Sequence, residues 1–184
     1  MPYLEYRKNE KSVLIVAAGL GVGLSFLAIL LAQTVGSHTE KIPSGEVWAF
    51  IQQEASRAEL DAEFVYAIAW AESSLNAHAR TSVARGMMQI TRLAWQQVSN
   101  LPYRNAWDWK TNVTVAIDYL DYCRGYLEEN EVFSYPLLAA SYRYGPYEVK
   151  KSEFLIKNLD PPKNKIYQQI FVGELQPVAP PVNN

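Results

Sequence analysis

Between Lys11 and Glu40 the chain carries no Asp, Glu, Lys or Arg, and from Val13 to Ala32 it is apolar except for Ser25. About 20 apolar residues match the hydrocarbon core of a bilayer, whereas the core of a secretory signal is usually about 7–15. The run therefore predicts an uncleaved transmembrane anchor at 13–33. Arg7, Lys8 and Lys11 precede it, and basic flanks stay inside, so residues 1–12 are expected to be cytoplasmic. The rest would lie outside the plasma membrane, in the periplasm if the cell is Gram-negative. Cleavage near Val35-Gly36-Ser37 is the alternative, which a mature N-terminus beyond residue 35 would reveal. No Cys stands directly after the run, so a lipoprotein signal is lacking.

Once the anchor is set aside, the 184-residue chain leaves one domain of ordinary size, and a hydrophobic fraction of 49% is enough for a core. The expected division is a polar linker at 34–43, a domain at 44–173 and a Pro-rich tail at 174–184. With 17 basic against 19 acidic residues and a net charge of −2, the chain presents no polyanion-binding field, so nucleic acid is not an expected partner. Cys123 is the single cysteine and excludes an internal disulfide. With only His38 and His78 beside it, no Cys/His set has metal-ligand spacing, so neither a metal nor another cofactor is expected.

Helical periodicity accounts for most of the domain. Ser44 is a plausible N-cap for a helix carrying Val47, Ile51, Ala55 and Ala58. Asp61 can cap a second helix, with Leu60 and Val65 at staple spacing. A loop of small and polar residues from Ser73 to Ile90 follows, then a short helix over Leu93 to Ser99 and a turn through Pro102. Asp108 caps the longest helix, striped by Val113, Ala116, Ile117, Leu120, Cys123 and Leu127, which makes Cys123 a core residue. Another helix runs from about Pro136 to Tyr144 and stops at Gly145-Pro146. Pro146 can open a short one, and Ile166 with Ile170 mark a last one ending at Gly173. No strand of convincing alternation, internal repeat or Gly-rich phosphate loop is present. The expected fold is all-α, a mainly helical single domain after an N-terminal transmembrane helix.

One acid breaks this pattern. Phe64 and Ile68 are four apart, and four residues later the same inward row reaches Glu72. If Ser73-Ser74 and Asn76 end the helix, desolvation and the negative pole of the helix dipole both raise the Glu72 pKa. That is how a general acid is kept protonated near neutral pH. The bland alternative is a helix-end residue reaching solvent.

The stretches around Glu72 resemble the lytic transglycosylases of the soluble (SLT) type, relatives of goose-type lysozymes. Glu72-Ser73-Ser74-Leu75-Asn76 is similar to the family's Glu-Ser-Ser-Phe-Asn segment, and Gly86-Met87-Met88-Gln89-Ile90 to its Gly-Leu-Met-Gln-Ile segment. Ala140-Ser141-Tyr142-Arg143-Tyr144-Gly145-Pro146 is similar to its Ala-Tyr-Asn-Ala-Gly-Pro segment. Asn112-Val113 and Tyr119-Leu120 stand where the family has helix landmarks, and the likeness covers about residues 58–170. There are departures. The loop after Glu72 is one residue shorter than the common form, and Ala84 lies near a usual Gly. Ala77 and Arg92 stand where Pro is common, and Arg143 replaces the Asn after the motif's Tyr.

The resemblance implies a lysozyme-like fold and non-hydrolytic cleavage of the β-1,4 bond between N-acetylmuramic acid and N-acetylglucosamine in peptidoglycan. It makes Glu72 the catalytic acid. Ser73 and Gln89 become candidates for hydrogen bonds to the acid or the acetylated sugar, Met88 for packing on the sugar, and Tyr142 for orienting Glu72 or the acetamido group. Most glycosidases use two carboxylates, yet Ser73 to Trp107 contains no acid, so a second would have to come from farther away, for example Asp108, Asp118 or Asp121. Assistance by the substrate's own acetamido group suits that shortage. The rivals are a hydrolytic muramidase on the same fold and a non-catalytic wall-binding component of an envelope-spanning machine, with which an anchored enzyme could also work.

Overall fold

The computed structural model describes residues 39–182. The expected cytoplasmic segment 1–12, the anchor at 13–33 and the alternative cleavage site at 35–37 lie outside the described residues. Among the described residues, no helix is long and apolar enough to cross a membrane.

The described part is mainly helical. Its helices are α1 (Ser44–Arg57), α2 (Ala62–Ser73), α3 (Arg92–Val98), α4 (Trp109–Glu129), α5 (Tyr135–Tyr144), α6 (Pro146–Lys151) and α7 (Lys165–Phe171). Between α2 and α3 lie two short antiparallel strands, β1 (Ala84–Arg85) and β2 (Ile90–Thr91). A 3-10 turn over Tyr103–Trp107 leads into α4.

Helix α2 is the centre of the packing. Phe64 through Ala69 are all buried, and six successive helical residues cover every face of the cylinder, so α2 must be surrounded. Its neighbours include α1 and α7. Helix α4 runs alongside α1, α3 and α5, and its expected stripe from Val113 to Leu127 is fully buried. Cys123 lies in that stripe with no exposure, and burial pushes its thiol up to about 12. It is a packing residue.

Caps set the helix starts. The carboxylate of Asp61 accepts from the Phe64 amide at 2.9 Å, and that of Asp108 from the Thr111 amide at 2.9 Å. Thr91, Ser134 and Asn164 cap α3, α5 and α7 in the same way. Helix α1 departs from expectation. Ser44 is its first residue and not its cap, because the Pro43 carbonyl receives the amides of Glu46 and Val47 at 3.0 and 3.1 Å.

The last residues of the expected linker are ordered against the segment after α2. The Ala77 amide donates to the Glu40 carbonyl at 2.8 Å and the Ile42 amide to the Leu75 carbonyl at 3.3 Å. In the tail, Val178 packs against the core.

Candidate active site

Helix α2 ends where the sequence predicts, with Ser74 and Leu75 both at positive φ (53° and 63°), and this turn leaves Glu72 on the last helical turn. Glu72 is half-buried and borders a cavity of about 470 Å3 with Gln89, Tyr119, Tyr142, Arg143 and Tyr144. It is the one acid among the described residues lining that cavity. Burial holds its carboxyl above the usual carboxylate range. A hydrogen bond from Tyr167 and the positive charge of Arg143 offset part of that rise.

The hydroxyl of Tyr167 donates directly to Oε1 of Glu72. Sequence reasoning missed this residue. The four-residue spacing of Ile166 and Ile170 marks those two as the row of α7, whereas the buried pair is Tyr167 and Ile170, three apart. Arg143 lies over the Tyr167 ring at 4.8 Å and the Tyr144 ring at 5.5 Å, which holds its charge near Glu72. It occupies the position where the resemblance leads one to expect Asn.

The other candidates are brought together unevenly. Gln89 borders the same cavity as Glu72, and its Nε2 donates to the Gly86 carbonyl at 2.9 Å, so the side chain braces its own loop. Tyr142 also borders the cavity, but its hydroxyl donates to the Met88 carbonyl at 2.7 Å and not to Glu72. The expected orienting bond to the acid comes from Tyr167 instead.

Met88 is 0% exposed and does not border the cavity, because the tight turn points it into the core with Met87. Ser73 is absent from the lining too. Its hydroxyl receives the Asn76 amide at 3.0 Å and finishes the turn after α2. His78 is half-buried, with Nδ1 2.9 Å from a Glu40 carboxylate oxygen and its ring stacked on Trp107.

Asn112 holds the loop that carries Gln89. Its side chain has no exposure, accepts the Met88 amide at 2.8 Å and donates to the carbonyls of Arg85 and Ala106, each at 3.0 Å. Gly86 lies against it at φ 78°, a conformation glycine adopts without strain. A Cβ there would sit 2.2 Å from the Asn112 amide nitrogen, so the close approach also demands glycine.

None of the three remote acids borders the cavity. Asp108 caps α4, and its hydrogen bonds from Thr111 hold its carboxyl below the usual range. Asp118 pairs with Arg57 at 2.7 Å, and Asp121 pairs with Arg124. No cluster of His, Cys, Asp and Glu that could hold a metal occurs among the described residues.

The site thus joins a half-buried acid at a helix end to a glutamine-bearing hairpin and an aromatic helix around one cavity. The fold is similar to that in the X-ray structure of an inactive mutant of the lytic transglycosylase Slt from Pseudomonas aeruginosa. The two share 20% identity and a TM-score of 0.51 over 70% of this chain and 21% of that one. The chain thus spans about a fifth of that protein, and the likeness is one of fold. No curated protein matches the sequence. The family model described as the transglycosylase SLT domain matches residues 49–162, a span that begins in α1, contains Glu72, Gln89 and Tyr142, and ends just before α7. By that match across most of the helical domain, the chain belongs to the transglycosylase SLT domain family.

Proposed function

We propose that the domain is a peptidoglycan lytic transglycosylase in which Glu72 alone performs acid and base catalysis. The observation that carries this reading is the half-buried Glu72 carboxyl with a raised pKa, facing a cavity that no other acid among the described residues borders. A carboxyl whose pKa burial raises holds its proton to higher pH than a free one, which suits it to donate to a glycosidic oxygen.

Bond cleavage then runs without water. Glu72 protonates the oxygen between N-acetylmuramic acid and N-acetylglucosamine, that C–O bond breaks, and the muramyl acetamido carbonyl stabilises the anomeric carbon. The C6 hydroxyl of the same sugar attacks that carbon and gives its proton to the Glu72 carboxylate. This closes a 1,6-anhydro ring and restores the acid. Tethering the nucleophile within the substrate supplies the proximity that a free water lacks.

Tyr167 is the positioning residue for the carboxyl, and Gln89 and Tyr142 border the space for the acetylated sugar. The apolar run from Val13 to Ala32 supports anchoring in the plasma membrane with this domain on the outer side, close to the wall. An envelope-spanning assembly that needs a local gap in the wall is the partner such an anchor suits.

Mass spectrometry of the muropeptides released from purified sacculi tests the reading. Anhydro products from the native protein and none from Glu72→Gln are expected. Reducing-end products, heavier by one water, would assign a hydrolase. Sacculus binding without any release would assign a wall-binding module.

A further inference from the structure

A larger hollow of about 880 Å3 adjoins the cavity at Glu72, and Thr81, Val83, Ala84, Thr91 and Leu93 border both. Its chemistry differs. Arg80, Arg85 and Arg92 border it together with the rings of Tyr103 and Trp107. Arg85 lies over Tyr103 at 4.6 Å and Trp107 at 5.3 Å, and Arg92 lies over Tyr103 at 4.8 Å. A further hollow bordered by Arg85 and Arg92 adds Arg104.

This concentration of charge has no acidic counterpart among the described residues that border the hollow. From Ser73 to Trp107 the chain has four arginines and no acid, in a protein whose net charge is −2. None of the ion pairs among the described residues uses these arginines. Arg80 and Arg85 are moreover direct partners across an antiparallel bridge, where like charges repel. Burial of the Tyr103 ring, 7% exposed, fixes the platform on which two of the guanidinium groups rest. Stacked guanidinium groups keep their N–H edges free and suit planar, bidentate anions.

We infer that Arg80, Arg85 and Arg92 form an anion subsite continuous with the catalytic cleft, which takes the carboxylates of the acidic peptide carried by the bound glycan strand. The inference rests on the function proposed above. A strand lying in the cavity at Glu72 would bring its peptide substituents within reach of the adjoining hollow. The free carboxylates of those peptides match the guanidinium edges. Val83 and Leu93, 67% and 80% exposed on the wall common to both hollows, give the apolar peptide atoms a surface to lie on.

The test compares sacculi carrying their peptides with the same sacculi stripped by an amidase, which removes the peptide and frees the lactyl carboxylate. Rates of muropeptide release give kcat and KM for the native protein, for Arg80→Gln/Arg92→Gln and for Arg80→Glu/Arg92→Glu. Co-sedimentation of the same arginine variants in a Glu72→Gln background gives binding without turnover. The native protein should prefer peptide-bearing sacculi, and added salt should weaken the preference.

The Gln pair should lower that preference about tenfold through KM, the effect of losing one charge-assisted pair, and the Glu pair should lower it further. Native release from both substrates with a preference unaltered in the variants would overturn the inference and leave the function standing. Equal losses on both substrates would assign the arginines to the glycan strand that the two share and also overturn it. If the native protein released nothing, the function would fall and co-sedimentation would decide the subsite. Discrimination lost in the arginine variants would support it, and its absence would overturn it.

Discussion

The hydroxyl of Tyr167 on α7 donates a hydrogen bond to Oε1 of Glu72 on α2 across a sequence separation of 95 residues. The two helices pack side by side, and Asn164 at the start of α7 also donates to the Ala71 carbonyl at 3.0 Å. The last helix of the domain therefore fixes both the backbone and the carboxyl of the candidate acid.

Removing that hydroxyl separates positioning from acidity. Tyr167→Phe takes away a donor that favours the ionised form, so the Glu72 pKa should rise above its already raised position. A general acid works while protonated, so the alkaline limb of the kcat/KM profile should move to higher pH. The plateau rate should fall about tenfold as the carboxyl loses its fixed orientation. A pH–rate profile on sacculi checks both, and an unmoved limb would mean that the hydroxyl does not sense the charge on Glu72.

Arg143 acts on the same group with a different signature. Its charge lowers the Glu72 pKa, though less than the Tyr167 bond does, and it makes no ion pair with the carboxylate among the described residues. Arg143→Asn should move the alkaline limb upward by less than Tyr167→Phe, and high salt should shrink the difference from the native protein. Arg143→Lys keeps the charge and should retain most of the native profile.

Much of this arrangement is legible from sequence because local chemistry determines it. Asp61 and Asp108 announce helix starts through their short acceptor side chains, and the row Phe64, Ile68, Glu72 follows from helical geometry alone. Other features depend on partners distant in the chain. Ile166 and Ile170 fit a four-residue spacing as well as Tyr167 and Ile170 fit a three-residue one, and only packing against α2 and α5 selects the second. The β1–β2 pair has two residues per strand, too few for any alternation to appear. Met88 resembles a substrate contact by motif, yet its side chain is in the core while its carbonyl receives Tyr142.

The hairpin behind the cavity should be the most mutation-sensitive part of the site. Gly86→Ala places a Cβ 2.2 Å from the Asn112 amide nitrogen and 2.5 Å from the Ala106 carbonyl, at a φ of 78°. The clash and the strain together should cost about 3 kcal/mol or more. Asn112→Ala leaves the buried Met88 amide without its acceptor, at about 1–3 kcal/mol. Urea denaturation should show both losses, and the pair should be non-additive because each change disturbs the same contact.

The pKa of Glu72 also makes a prediction about stability that is independent of substrate. Burial raises the folded-state value above the unfolded one, so across the interval between them the folded protein binds more protons. The Glu72 contribution to stability is therefore fully present below the unfolded pKa, near 4.3 for a free Glu. It declines as pH rises through the folded pKa, where an ionised carboxylate must be held half-dry. Glu72→Gln removes that ionisation and keeps a side-chain oxygen that can accept from Tyr167. Relative to the native protein, its thermal midpoint should be higher at neutral pH, with the advantage shrinking on acidification toward pH 4. Melting curves at both pH values decide the matter: an equal offset at each would mean that the carboxyl does not titrate differently in the folded and unfolded chain.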